Sequence, residues 1–324
     1  MTDALRPIGG YFELELGQGL SFPYPDLARF QSGRAAFRAL LEVGKPRRVW
    51  MPRHICDAMF DPLRLAGIPW QLYDLDGNLE IAADGVEMAP DDWLLYVNYF
   101  GIGGKNVSRL LERFPKEQIV LDYSQAFFDP PRDVLATIYS PRKFFGVPDG
   151  GLLATGLMVH VPATQDAASV DRSLHLVQRL AFGPEAGYGA FQKAEAQLSD
   201  CTPRRMSDFT HRLLLAVDFE RVARQRRENF FYLHRSLGTS NHLAVDPAGI
   251  DVPLCYPFIT DDPSLRERLI AHRIFVPTYW ADTVDRVDEA WGQKMVKDCL
   301  PLPVDQRHDS ADMERIAALI RGEL

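Results

Sequence analysis

Short, almost wholly apolar runs alternate with amphipathic stretches through the first half of this chain, and that alternation limits the possible folds more than any other feature. Trp93 to Phe100 (WLLYVNYF) and Gln118 to Ser124 (QIVLDYS) are apolar at consecutive positions, as strands buried on both faces must be. RVWMP from Arg48, IPWQLYDL from Ile68, VLATIYS from Val134 and GGLLAT from Gly150 read as further strands. Between them the spacing predicts helices over 34–43, with Ser32 and Gly33 as N-cap candidates, over 57–66 and over 107–114. Strands alternating with helices imply a mostly parallel sheet covered on both sides, a three-layer α/β/α domain in which ligands gather at the carboxyl ends of the strands.

After Thr155 the pattern changes. Helices are expected over 166–180 and 190–198, and Ser207 to Leu237 reads as one long charged helix. About 30 residues at 1.5 Å each would span roughly 45 Å, enough to bridge two domains. The remainder, with DVPLCYPFIT and helices over 264–272 and 310–320, reads as a small C-terminal α/β domain. The boundary is placed near residue 205, giving units 1–205 and 206–324.

Composition supports this picture and removes several alternatives. The chain has 324 residues, 46% of them hydrophobic, enough for two cores. A formal charge of -8 argues against nucleic acid as a partner, because phosphate binding needs an excess of clustered cations. Cys56, Cys201, Cys255 and Cys299 show no CxxC spacing, so neither a zinc ribbon nor a disulfide framework is implied, and a reducing cytoplasm is expected. No run of about 18 uncharged apolar residues suggests a membrane span, and the acidic N-terminus does not read as a secretion signal. His54 and Cys56 lack a second cluster to complete a metal site, so no metal is expected.

The candidates for chemistry sit at strand ends. Lys143, in YSPRKFFGVPDGG, is one of few lysines. Desolvation among aromatic neighbours would let its amine lose a proton and attack a carbonyl, whereas spacing alone favours a surface loop lysine. Asp122 ends the strand QIVLD, where a carboxylate can keep a pyridine nitrogen protonated or can serve as a turn acid. Ser32 and Gly33 precede a helix whose first amides and dipole suit a phosphate, or merely cap it. Ser140 can add a hydroxyl to the same phosphate, or belong to the turn before Pro141.

In order along the chain, QSGRAAFRALL, MPRHICDAM, LYDLD, LDYSQAFF, SPRKFFGVPDGG and CLPLPVDQRHDSADMERI resemble motifs of the DegT/DnrJ/EryC1/StrS sugar aminotransferases, which are fold-type-I pyridoxal-phosphate enzymes. The resemblance implies an aspartate-aminotransferase-like large domain and pyridoxal 5'-phosphate as cofactor. It makes Lys143 the Schiff-base lysine, Asp122 the partner of the ring nitrogen and Gln125 a neighbour of the phenolic oxygen. Ser32, Gly33 and Ser140 would hold the phosphate, and Arg34 counts among the cofactor-binding residues. Where the family stacks an aromatic residue on the ring, this chain has Cys56. Implied too are glutamate as amino donor, a keto sugar, nucleotide-linked or free, as acceptor, and a homodimer. Two other outcomes keep the same fold: elimination or dehydration, and a regulatory protein that binds cofactor without turnover.

Other residues carry plainer expectations. GIGGKN lacks the third glycine of a dinucleotide fingerprint and reads as a turn. Asn98 and Tyr99 end a strand facing the presumed crevice and either touch substrate or belong to the core edge. Tyr279 and Trp280 could stack on a sugar, but a contact within the small domain is the plainer account. Arg221, Arg224, Arg226 and Arg227 are expected on a solvated helix face.

Overall fold

Seven strands form one sheet at the centre of the computed structural model, which describes residues 10–17, 22–83, 85–287 and 290–323. The first half runs β1 (Ala28–Phe30), α1 (Gly33–Gly44), β2 (Arg48–Pro52), α2 (Asp61–Ala66), β3 (Trp70–Tyr73), β4 (Asp92–Val97), α3 (Gly104–Arg113), β5 (Ile119–Tyr123), β6 (Ala136–Tyr139) and β7 (Gly151–Thr155). Every residue of β4, β5 and β6 is buried, as their unbroken apolar character requires.

The strand order is β1-β7-β6-β5-β4-β2-β3. Strands β3, β2, β4, β5 and β6 are parallel, whereas β7 lies antiparallel to β6 and β1 antiparallel to β7. Because β1 thus points the same way as β6, the start of α1 emerges on the edge where the parallel strands end. α1 is held there by its own chemistry. The Ser32 hydroxyl accepts from the Ala35 N–H at 3.1 Å, and Ala36, Phe37, Leu40 and Leu41 form its buried stripe.

The second half comprises α4 (Ser169–Arg172), α5 (Leu174–Phe182), α6 (Pro184–Gln197), α7 (Asp208–Leu215), α8 (Phe219–Leu237), β8 (Cys255–Ile259), α9 (Leu265–Ala271), α10 (Ala290–Lys297), β9 (Cys299–Pro303) and α11 (Ser310–Arg321). β8 and β9 pair antiparallel. Their side chains Tyr256, Phe258, Leu300 and Leu302 join Phe230 and Leu233 of α8 and Met313 and Ile316 of α11 in a second apolar cluster.

The fold class expected from the sequence is present, and several elements differ from expectation. The long helix over 207–237 is two helices. Asp218 stands outside helical geometry and accepts the Arg221 N–H at 2.9 Å, so its side chain restarts the chain as α8. α8 alone has 19 residues and, at 1.5 Å each, measures about 29 Å. The helix over 166–180 is likewise divided at Ser173. α6 begins at Pro184, six residues before the expected start, because Gly183 at φ +96 and Pro184 make a ready entry that apolar spacing does not reveal. β1, α10 and β9 lack periodicity strong enough to have been expected.

Arg226 reverses the expectation of solvation. Arg221 and Arg224 are exposed and Arg227 pairs with Asp251, but Arg226 is only 2% exposed. It lies on one stripe with Val222, Asn229, Phe230, Leu233 and Leu237, the inward face of α8.

Candidate active site

The carboxyl edge of the sheet collects most of the residues singled out from the sequence. β5 delivers Asp122, in register with Val97 of β4 and Ile138 of β6, and leaves it 5% exposed. Its Oδ1 accepts the Ser124 N–H at 2.8 Å. Among the described residues Oδ2 has no hydrogen-bond partner.

Gln125 is held with its amide in one orientation. Its Oε1 accepts the Phe100 N–H at 2.6 Å, so its Nε2 is left as the donor end, unbonded among the described residues. The backbone is bent to make this contact: Phe100 stands at φ +58 and Gly101 at φ +71. A β-carbon on Gly101 would lie 2.5 Å from the Gln125 carbonyl oxygen, so this position accepts only glycine without displacement.

The start of α1 is pressed against the start of β7. Gly150 donates to the Gln31 carbonyl at 2.7 Å, and a β-carbon on Gly151 would fall 2.2 Å from the carbonyl carbon of Ser32. The glycine pair thus sets the height of the Ser32–Gly33 corner over the sheet. The opening amides of a helix lack intrahelical partners and carry partial positive charge, which makes this corner suited to an anion. Arg34 follows in the first turn of α1, half-buried.

Ser140 leaves β6 and opens a tight turn. The Lys143 N–H donates to the Ser140 carbonyl at 3.1 Å, and the Phe144 and Phe145 N–H groups both donate to that of Pro141 at 2.9 Å. This winding sends Phe144 and Phe145 into the core and leaves Lys143 exposed. The desolvation expected for Lys143 among aromatic neighbours is therefore absent in the single chain. Cys56, after β2, completes the group: burial pushes its thiol up, and the charges of Lys143, Asp122 and Arg34 all act on it.

Other candidates do not belong to this edge. His54 is core: it donates through Nε2 to the Gly292 carbonyl at 3.1 Å and meets Trp280 edge-on, and burial lowers its pKa. Asn98 is fully engaged, donating to Asp129 at 2.7 Å and accepting from the Gly103 N–H at 2.8 Å; Tyr99 donates to the His54 carbonyl at 2.9 Å. Both are structural rather than substrate-facing. Trp280 packs on Tyr99 and Phe100, so it serves the large core and not the small one. Among the described residues no group of three or more metal-ligating side chains occurs, no helix is long and apolar enough to cross a membrane, and all four cysteines are free thiols.

Sequence reading missed Arg226 and Gln306. The Arg226 guanidinium lies 4.6 Å over the Phe144 ring and donates to the Phe144 carbonyl at 3.3 Å, to Leu254 at 3.1 Å and to Gln306 Oε1 at 2.9 Å. Gln306 Nε2 donates to the same Phe144 carbonyl at 2.8 Å. Burial lowers the Arg226 pKa to about 10. The signal was present in the helical spacing of Arg226 with Val222, Phe230 and Leu233, but a run of arginines concealed it.

Neither a protein-family model nor a curated protein matches this sequence. Solved structures do match in shape. The sugar aminotransferase CalS13 from Micromonospora echinospora superposes with a TM-score of 0.60 at 14% identity, over 92% of this chain and 87% of its own. A DegT DnrJ EryC1 StrS aminotransferase from Brucella abortus gives 0.57 at 16%, over 91% and 85%. DesI, solved in the presence of its TDP-sugar product, gives 0.61 at 17%, over 91% and 79%. At such identities the likeness is one of architecture: the chain has the fold of these aminotransferases.

Proposed function

We propose that this protein is a pyridoxal-phosphate-dependent aminotransferase of the DegT/DnrJ/EryC1/StrS type, which moves an amino group from glutamate to a keto sugar. The observation that carries this reading is the convergence of an amine (Lys143), a strand-end carboxylate (Asp122), an oriented amide donor (Gln125) and a helix start (Ser32, Gly33) on one edge of a sheet with this fold. The parts fit the cofactor. The free end of Gln125 suits a phenolic oxygen, the α1 corner with Arg34 and Ser140 suits a phosphate, and Asp122 retains an oxygen for a protonated ring nitrogen.

When bound, pyridoxal phosphate supplies an electron-withdrawing ring that stabilises negative charge at the substrate carbon. In this reading Asp122 keeps that ring protonated. Lys143 would hold the cofactor through its Nζ, and that amine, when free, would hold and move the proton at the substrate carbon. Its exposure in the single chain matches a site that a second subunit would cover, so the homodimer belongs to the same proposal. Cys56 takes the place where the family stacks an aromatic ring.

The division into units 1–205 and 206–324 and a cytoplasmic location are also part of this reading, as is a nucleotide-linked acceptor, DesI having been solved in the presence of its TDP-sugar product. The test is a screen of nucleotide-linked keto sugars with glutamate. An aminated sugar with equal consumption of glutamate supports the reading. Cofactor that binds yet is never converted to its amine form by any amino donor contradicts it.

A further inference from the structure

The Phe144 carbonyl, next after Lys143, accepts two side-chain hydrogen bonds, and what holds it comes from far along the chain. Phe144 O accepts from Arg226 Nη2 at 3.3 Å and from Gln306 Nε2 at 2.8 Å, while Arg226 Nε donates to Gln306 Oε1 at 2.9 Å. The three groups close a triangle, so neither side chain can move without releasing the other. Arg226 is further fixed by the Pro253 and Leu254 carbonyls at 3.3 and 3.1 Å. One turn on, Asn229 donates to the carbonyls of Val304, Asp305 and His308 and pins the loop that carries Gln306. Buried arginines are costly, and this one has its hydrogen bonds to neutral acceptors, where an ion pair would be the usual way to compensate burial.

The geometry points to Arg226 and Gln306 as positioning residues for Lys143: they fix the Phe144 carbonyl, and with it the turn that presents the amine, so the lysine is set only while α8 and the loop after β9 are docked on the sheet. This inference rests on the aminotransferase reading and deepens it. It predicts an effect on bond formation by Lys143 rather than on occupancy of the anion corner, because neither side chain makes any hydrogen bond to Ser32, Gly33, Asp122 or Gln125.

The experiment compares wild type, Gln306→Leu and Arg226→Lys as cofactor-free protein titrated with pyridoxal phosphate, which condenses with lysine, and with pyridoxamine phosphate, which carries an amine and cannot. Gln306→Leu should condense with the aldehyde about tenfold more slowly, yet bind pyridoxamine phosphate within about twofold of wild type. Deuterium exchange at the Lys143 to Val147 amides should rise in the cofactor-free variant. If Arg226→Lys does not fold, Gln306→Leu still decides. Unchanged condensation and exchange in Gln306→Leu overturn the inference, as does equal weakening towards both compounds. A wild-type protein that binds neither compound sinks the aminotransferase reading itself, which is a different result.

Discussion

The Phe100 N–H donates to Gln125 Oε1 at 2.6 Å, and Phe100 adopts φ +58 to do so. A large aromatic residue in left-handed geometry is held there by its surroundings, at a cost of about 1–3 kcal/mol. What the strain secures is direction: the Gln125 amide has its oxygen tied to the backbone and its nitrogen left unbonded among the described residues.

Gly101→Ala tests how tightly this corner is built. The new methyl would meet the Gln125 carbonyl oxygen at 2.5 Å on a residue at φ +71. The variant should lose about 1–3 kcal/mol of stability, read as a lower denaturation midpoint in urea. An unchanged midpoint would mean that the corner relaxes freely.

Gly151→Ala tests the α1 corner. Its methyl would sit 2.2 Å from the Ser32 carbonyl carbon, so Ser32 and Gly33 must move away from β7. The variant should bind pyridoxamine phosphate about tenfold more weakly, roughly 1.4 kcal/mol. Full affinity in a folded variant would place the phosphate elsewhere.

Asp129 gives a pH signature. Burial, then the nearby charge of Asp251, raises its carboxyl from 3.8 to about 6, opposed by Arg132 and the Asn98 hydrogen bond. With the folded value above the unfolded one, the stabilising contribution is complete below about pH 4 and is lost as pH rises through about 6. Asp129→Asn should therefore be more stable than wild type near pH 7.5 and lose that advantage towards pH 4, as thermal melts across this range would read. An advantage that is the same at both ends would contradict the assignment.

The sheet was legible because its strands leave an unmistakable trace: β4 and β5 are apolar at nearly every position and buried at all. The strand-end positions of Asp122 and Ser140 follow from strand boundaries alone. Helix breaks were not legible, since Asp218 interrupts an apolar pattern without a glycine or proline to mark it. Arg226 was misread because charge in sequence does not reveal depth, and its acceptors are backbone carbonyls distant in the chain. Lys143 is exposed in the single chain, as a loop lysine would be, because the turn buries Phe144 and Phe145 instead.

The most direct test of the account is the visible absorption of the purified protein with added pyridoxal phosphate, before and after glutamate, beside Lys143→Ala. The account predicts a visible band in wild type that glutamate bleaches and that Lys143→Ala never develops. A band equally strong in Lys143→Ala, or no band in wild type at saturating pyridoxal phosphate, would contradict it.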